Sequence, residues 1–243
     1  MARRRILGRM LKRLLLAALG ATFIPAIASA QGQGPGTPPP QTGPAYTVAY
    51  VDVLPASRAA AIDEFRKYRE ATSHEAGFLG IDVFEQNRRG AHYTVIEAWA
   101  NAQALDAHDQ AAPTAALLAA MKRIAVSGYD QRPYKALTIA TPRAGNPQAV
   151  YVVTHVDTIP APGSDPAGIL RALAERSRAE AGNLRFDVLQ HAMRANHFTI
   201  VERWENPAAA DAHEAAAHTR QYRLDIQPLS GSPLDERVYR AVE

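Results

Sequence analysis

Two short stretches hold the residues best suited to proton chemistry. Tyr93-Thr94-Val95-Ile96-Glu97-Ala98-Trp99 is followed by Asn101 and His108. Phe198-Thr199-Ile200-Val201-Glu202-Arg203-Trp204 is followed by Asn206 and His213. They are one pattern written twice, 105 residues apart. An unperturbed imidazole titrates near neutral pH, so His108 and His213 are candidate general bases. Strand alternation would put Glu97 on one face with Tyr93, Val95 and Trp99, and Glu202 with Phe198, Ile200 and Trp204. A carboxylate in such company loses hydration. Its pKa rises, which suits it to proton transfer. The plainer alternatives are a hydrogen-bonded structural His and a strand-end Glu paired with an Arg of the other copy. Trp99 and Trp204, the only tryptophans, either stack on a flat aromatic substrate or fill the core.

His218 lies five residues after His213. On one continuous helix that spacing turns through about 500°, leaving the rings some 140° apart. Helical metal-binding pairs use a spacing of four, so no metal site is expected. His155 and Asp157 share a strand face, as an oriented imidazole or as simple neighbours. His92 and His197 precede the third strand of each copy and read as turn residues.

The elements that must position these groups repeat too. Residue n matches residue n + 105 without a gap from Tyr46 onward, and roughly a third of the pairs are identical. Each copy reads as strand, helix, strand, strand, helix, strand. The first strands end before Pro55 and Pro160. Ile62, Phe65 and Tyr68 give one helical stripe; Ile169, Leu170 and Leu173 give the other, after an Asp165-Pro166 start. Gly77 and Gly182 stand where a helix must stop. Asn101 and Asn206 are N-caps of a second helical region, which Pro113 breaks in copy one. The order is the βαββαβ ferredoxin-like unit, with one bare sheet face. The fold class expected is therefore α+β: two tandem ferredoxin-like units packed sheet to sheet as an intrachain pseudo-dimeric α/β barrel. The repeats span residues 46–140 and 150–243, with a turn-rich linker at 141–149.

At the start, six basic residues precede an apolar run that ends in Ala28-Ser29-Ala30. That order reads as a signal peptide over 1–30 and a periplasmic or secreted protein. A membrane association is expected only through this segment, if it stays uncleaved. Residues 31–45 are a Gly/Pro-rich tether. Without residues 1–30 the chain is mildly acidic, so no nucleic-acid partner is expected. The absence of cysteine excludes thiolate metal sites and Cys nucleophiles.

Glu-x-Trp at a strand end, Asp-Ala-His behind it, and Glu-Ala-Gly after the first helix resemble the antibiotic biosynthesis monooxygenase (ABM) family. The resemblance covers both repeats. It implies dimeric α/β barrels and, in some members, cofactor-independent oxygenation of quinol-like aromatics. Others are haem-degrading enzymes, isomerases or proteins without known activity. The quinol-oxidising relatives carry two histidines five apart. His213 and His218 match; copy one has His108 but Pro113, which favours the C-terminal copy. The haem-degrading pattern fails, since its second Trp would fall at His108 or His213 and its ligating His at Leu118 or Arg223. No glycine-rich nucleotide loop or Gly-x-Ser-x-Gly elbow is present.

The resemblance thus implies a monooxygenase of a small aromatic, with dioxygen as co-substrate and no cofactor. Its pocket is expected between sheet and helices, lined by Trp204, Phe186, Phe198 and His213, with Trp99 and His155 as further substrate-binding candidates. The alternative is a non-catalytic ligand-binding or stress-associated barrel. Association into oligomers is compatible with either.

Overall fold

The computed structural model describes residues 43–144 and 147–242. The segment read as a signal peptide, and most of the tether, lie outside the described residues. Copy one comprises β1 (Ala45–Asp52), α1 (Arg58–Thr72), β2 (Phe78–Gln86), β3 (His92–Trp99), α2 (Ala102–Asp109), α3 (Ala112–Ile124) and β4 (Asp130–Thr138). Copy two comprises β5 (Val150–Asp157), α4 (Pro166–Arg178), β6 (Asn183–His191), β7 (His197–Trp204), α5 (Pro207–Ala215), α6 (Ala217–Ile226) and β8 (Asp235–Ala241). No helix among the described residues is long and apolar enough to cross a membrane.

The eight strands close into one antiparallel barrel in the order β1-β3-β2-β8-β5-β7-β6-β4. Each repeat supplies four consecutive members. The halves join where β2 pairs with β8 and where β4 pairs with β6. This is the expected pair of ferredoxin-like units closed on each other. Alternation explains how one strand serves two cores. Val48, Phe84, Ile96, Tyr134, Tyr151, Val153, Leu189, Val201 and Tyr239 share the core between the two sheets. The other faces pack against helices: Val83, Tyr93 and Val95 with Phe65 and Tyr68, and Val152, Val188, Phe198 and Ile200 with Leu170 and Leu173.

Buried charge also ties the halves together. Arg185 of copy two lies 2.7 Å from Asp82 of copy one and 2.5 Å from Asp187. Glu85 of copy one, 1 % exposed, holds Arg58 at 2.5 Å and Arg240 of copy two at 2.6 Å. Burial alone would raise the Glu85 pKa. The hydrogen bonds from Arg58, the Ala91 N–H and Arg240 outweigh it and bring it down to about 2.

The structure corrects one local expectation. The second helical region is two helices in both copies, not only where Pro113 stands. In copy two Ala216 is extended (φ −65°, ψ 147°), and α6 starts afresh after it.

Candidate active site

Equivalent elements build one site in each copy. Asn101 and Asn206 accept hydrogen bonds from the N–H groups of Ala104 (2.9 Å) and Ala209 (3.0 Å), which fixes the starts of α2 and α5. The same helices are seated on Gly77 (φ +82°) and Gly182 (φ +79°). A Cβ there would come within 2.6 Å of Ala104 Cβ and 2.7 Å of Ala209 Cβ. Two turns further on, each helix lays its His over the strand-end Trp. The ring centroids are 4.3 Å apart for His108–Trp99 and 4.6 Å for His213–Trp204, both stacked.

The second carboxylate of each site comes from the end of the first helix. His108 Nδ1 is 3.0 Å from Glu75 Oε2, and His213 Nδ1 is 2.6 Å from Glu180 Oε1. The strand carboxylates accept from the indoles, Trp99 Nε1 to Glu97 at 3.2 Å and Trp204 Nε1 to Glu202 at 2.7 Å. All four of these His and strand Glu side chains are buried.

From here the copies diverge. In copy one the Tyr68 hydroxyl lies 2.7 Å from His108 Nε2 and donates to Glu97 Oε1 at 2.7 Å. Glu97 Oε2 is 3.2 Å from the same His108 nitrogen, and Thr114 Oγ1 is 3.1 Å from it. Both ring nitrogens thus face carboxylates. Burial lowers the affinity of His108 for a proton, but Glu97 and Glu75 outweigh it and raise its pKa. Both nitrogens of His108 are thus engaged, whereas Glu75 Oε1 stays buried without a hydrogen-bond partner.

In copy two the residue matching Tyr68 is Leu173, which has no hydroxyl to offer. His213 Nε2 is left 3.7 Å from Glu202 Oε2, beyond hydrogen-bonding reach. A cavity of about 550 Å³ opens beside it, with Glu202, Trp204 and His213 in its wall. Val150 and Val152 of β5 give an apolar side, Asp211 and Glu214 of α5 a polar one. The turn Gln86-Asn87-Arg88 of copy one closes it, held by the Asn87 N–H to the Val238 carbonyl at 2.8 Å. Burial lowers the His213 pKa against the pull of Glu180. Burial also drives the Glu202 carboxyl up to about 8, over the opposing Trp204 hydrogen bond. Copy two therefore presents a neutral imidazole and a neutral carboxylic acid to a partly apolar cavity. The pair can remove one proton and supply another.

A family model described as "Antibiotic biosynthesis monooxygenase" matches residues 44–121 and 149–223, one match per repeat and together more than half of the chain. The chain belongs to the antibiotic biosynthesis monooxygenase family. Within it, "Putative monooxygenase YcnE" of Bacillus subtilis (strain 168) is 32% identical over 65 residues, which is 27% of this chain and 68% of that protein. Two crystal structures, each of a "putative monooxygenase", share the barrel fold. One, from Fusobacterium nucleatum, superposes with a TM-score of 0.74 at 16% identity, covering 83% of this chain and 94% of its own. The other, from Lactobacillus acidophilus NCFM, gives 0.69 at 17% identity, covering 83% and 95%. At such identities the structures speak to the fold alone.

For this ABM chain, the structure places the sequence candidates unevenly. His213, Glu202 and Trp204 come together at the cavity as expected. His108, Glu97 and Trp99 form the corresponding cluster in copy one. Phe186 and Phe198 do not line the pocket. They are 0 % and 1 % exposed, because they are packed into the core with Leu170 and Leu173 of α4; Phe186 also meets the His213 ring edge-on at 5.6 Å. His155 faces the opposite way. It meets Tyr50 near the barrel mouth (5.2 Å between rings) and Thr199 Oγ1 at 3.1 Å. Asp157 instead pairs with His197, and Asp52 with His92 at 2.6 Å. The expected pairing of Glu97 or Glu202 with an Arg of the other copy is also absent among the described residues: their partners are Tyr68, Trp99 and His108, and Trp204 and His213.

The 140° separation of His213 and His218 does not hold either, since Ala216 interrupts the helix. His218 Nε2 reaches Glu180 Oε1 at 2.9 Å. Glu180 and Tyr68 are the residues of these clusters that the sequence pattern does not single out. Glu180 sat in the Glu-Ala-Gly signature as a helix-end marker. Tyr68 was counted into a hydrophobic stripe, and only its pairing with Leu173 in the repeat alignment hinted at more.

Proposed function

We propose that copy two oxygenates a small quinol-like aromatic with dioxygen. The observation that carries this reading is His213 in the cavity wall with no hydrogen bond at its Nε2, where the matching nitrogen of His108 meets Tyr68. Glu180 accepts the Nδ1–H and so leaves the lone pair on Nε2. That nitrogen takes the phenolic proton. The electron-rich anion then reduces dioxygen itself; one oxygen atom enters the ring to give a hydroxyquinone and the other leaves as water. The Glu202 acid, itself buried, stands ready to donate to the oxygen anion. Trp204 and the valines supply a flat apolar wall for the ring. Export through residues 1–30 belongs to the same proposal, and a mature chain beginning at Gln31 in the periplasmic fraction would support it.

The test is oxygen uptake by purified protein over a panel of hydroquinones, wild type against His213→Ala. The expected result is uptake that falls roughly 10²- to 10⁴-fold in the variant, the usual weight of a general base. No His213-dependent uptake on any member would overturn the reading. Saturable thermal stabilisation without turnover would favour a ligand-binding barrel instead.

A further inference from the structure

The break at Ala216 brings three donors to one point. His213 comes from α5, His218 from the first turn of α6, and Glu180 from just beyond the end of α4. Glu180 Oε1 is 2.6 Å from His213 Nδ1 and 2.9 Å from His218 Nε2. The three atoms all lie within 4.8 Å of one another. Two imidazoles and a carboxylate are borderline donors that suit divalent transition cations. Three protein ligands leave at least one coordination position open. The His213 side chain is 3 % exposed, but Glu180 and His218 are 18 % and 17 % exposed, so the cluster is anchored on one side and open to solvent on the other. Thr219 Oγ1, 3.3 Å from His213 Nδ1, stands behind it. Copy one is a built-in contrast: Glu75 and His108 repeat the pair, but Pro113 stands where the third donor would be.

We infer that Glu180, His213 and His218 form a binding site for one divalent transition cation of the zinc class. A consequence follows for the chemistry proposed above, and this part rests on that reading. A neutral imidazole coordinated through Nδ1 carries its proton on Nε2. The nitrogen facing the cavity would then be a donor and no longer a base. Cation occupancy and base catalysis exclude each other, so the site is an inhibitory one.

The experiment uses the mature chain, stripped with a chelator and dialysed. Zn²⁺ is titrated in competition with a chromophoric chelator, for wild type, His218→Ala and Glu180→Gln. The expected result is one equivalent bound by wild type and at least ~10-fold weaker binding in each variant, in line with what even outer partners of a metal contribute. Zn²⁺ should also raise the wild-type melting temperature. Circular dichroism checks the variants; should both misfold, the absorption spectrum of Co²⁺-loaded wild type decides, since nitrogen–oxygen coordination gives visible bands. No stoichiometric binding to wild type, equal binding by a folded variant, or a featureless Co²⁺ spectrum overturns the site. The inhibitory role is read separately: oxygen uptake of the metal-free enzyme should stop on adding one equivalent of Zn²⁺ and return with chelator. Metal-free enzyme that never turns over would defeat the base reading and leave the zinc titration standing.

Discussion

The Tyr68 hydroxyl bridges His108 and Glu97 at 2.7 Å on each side, and the leucine in its place in copy two, Leu173, bridges nothing. This side-chain difference between the repeats leaves Nε2 of His108 hydrogen-bonded and Nε2 of His213 without a hydrogen bond. Buried polar groups cost most when a partner is removed and they stay buried. Tyr68→Phe should therefore lower stability by about 1–3 kcal/mol, read by urea unfolding. Oxygen uptake, which we assign to copy two, should stay within a factor of about two.

The converse substitution tests the same relationship from the other side. Leu173→Tyr places a hydroxyl where copy one has its own, between Glu202 and His213. The new group would occupy Nε2 and the adjoining space. Uptake should fall roughly 100-fold or more, while overpacking costs no more than about 1–3 kcal/mol. A folded Leu173→Tyr protein with full turnover would show that the free nitrogen of His213 is not what the reaction uses.

Much of this was legible in the residues, and the reasons differ from part to part. The barrel could be read because the βαββαβ order leaves a bare sheet face and the chain holds a second copy to cover it. Asn101, Asn206, Gly77 and Gly182 act through their own backbone neighbourhood, so their roles survive in a one-dimensional string. The Trp–Glu–His set could be read because strand alternation and helical spacing each run over a few residues. What stayed hidden depends on long-range or singular geometry. Glu180 meets His213 across 33 positions, with no periodicity linking a helix end to another helix. The break at Ala216 involves neither proline nor glycine, and it alone moves His218 onto Glu180. Phe186 and Phe198 were assigned to the pocket because their face was known but not how far along the strands the helix covers it.

The glycine seats give an asymmetric prediction. At φ near +80° an alanine pays about 1–2 kcal/mol of backbone strain, and the added methyl meets Ala104 or Ala209 below contact distance. Gly77→Ala and Gly182→Ala should both unfold earlier in urea. Only Gly182→Ala, which pushes on the helix carrying His213, should also reduce turnover in the residual folded protein. Misplacement of a catalytic group by ~1 Å is enough to cost on the order of 100-fold. Equal turnover losses in the two variants would break the link between α5 and the chemistry.

The acid limb of stability should come in two separable steps. His155 is half-buried, its Nε2 shut off from solvent and unpartnered, and burial, reinforced by Arg132, lowers its pKa to about 4. The unfolded chain binds that proton near pH 6.5 while the native state refuses it, so the His155 contribution is lost as pH falls from about 6.5 toward 4, against the opposite trend of Glu202, whose raised pKa lets the native state take up a proton over the same range. Glu85 works in the next window. Its native pKa, about 2, lies below the unfolded value of roughly 4.3. The ion pairs with Arg58 and Arg240 therefore contribute fully above that range, and their contribution fades as pH falls through about 2. Urea unfolding from pH 7 to 2 reads both steps. His155→Gln should flatten the first and leave the second. Glu85→Gln should lower stability at neutral pH, because it strips two arginines of a buried partner, and should remove the second step. A limb between pH 6.5 and 4 that is the same in His155→Gln as in wild type would contradict the neutral state of His155.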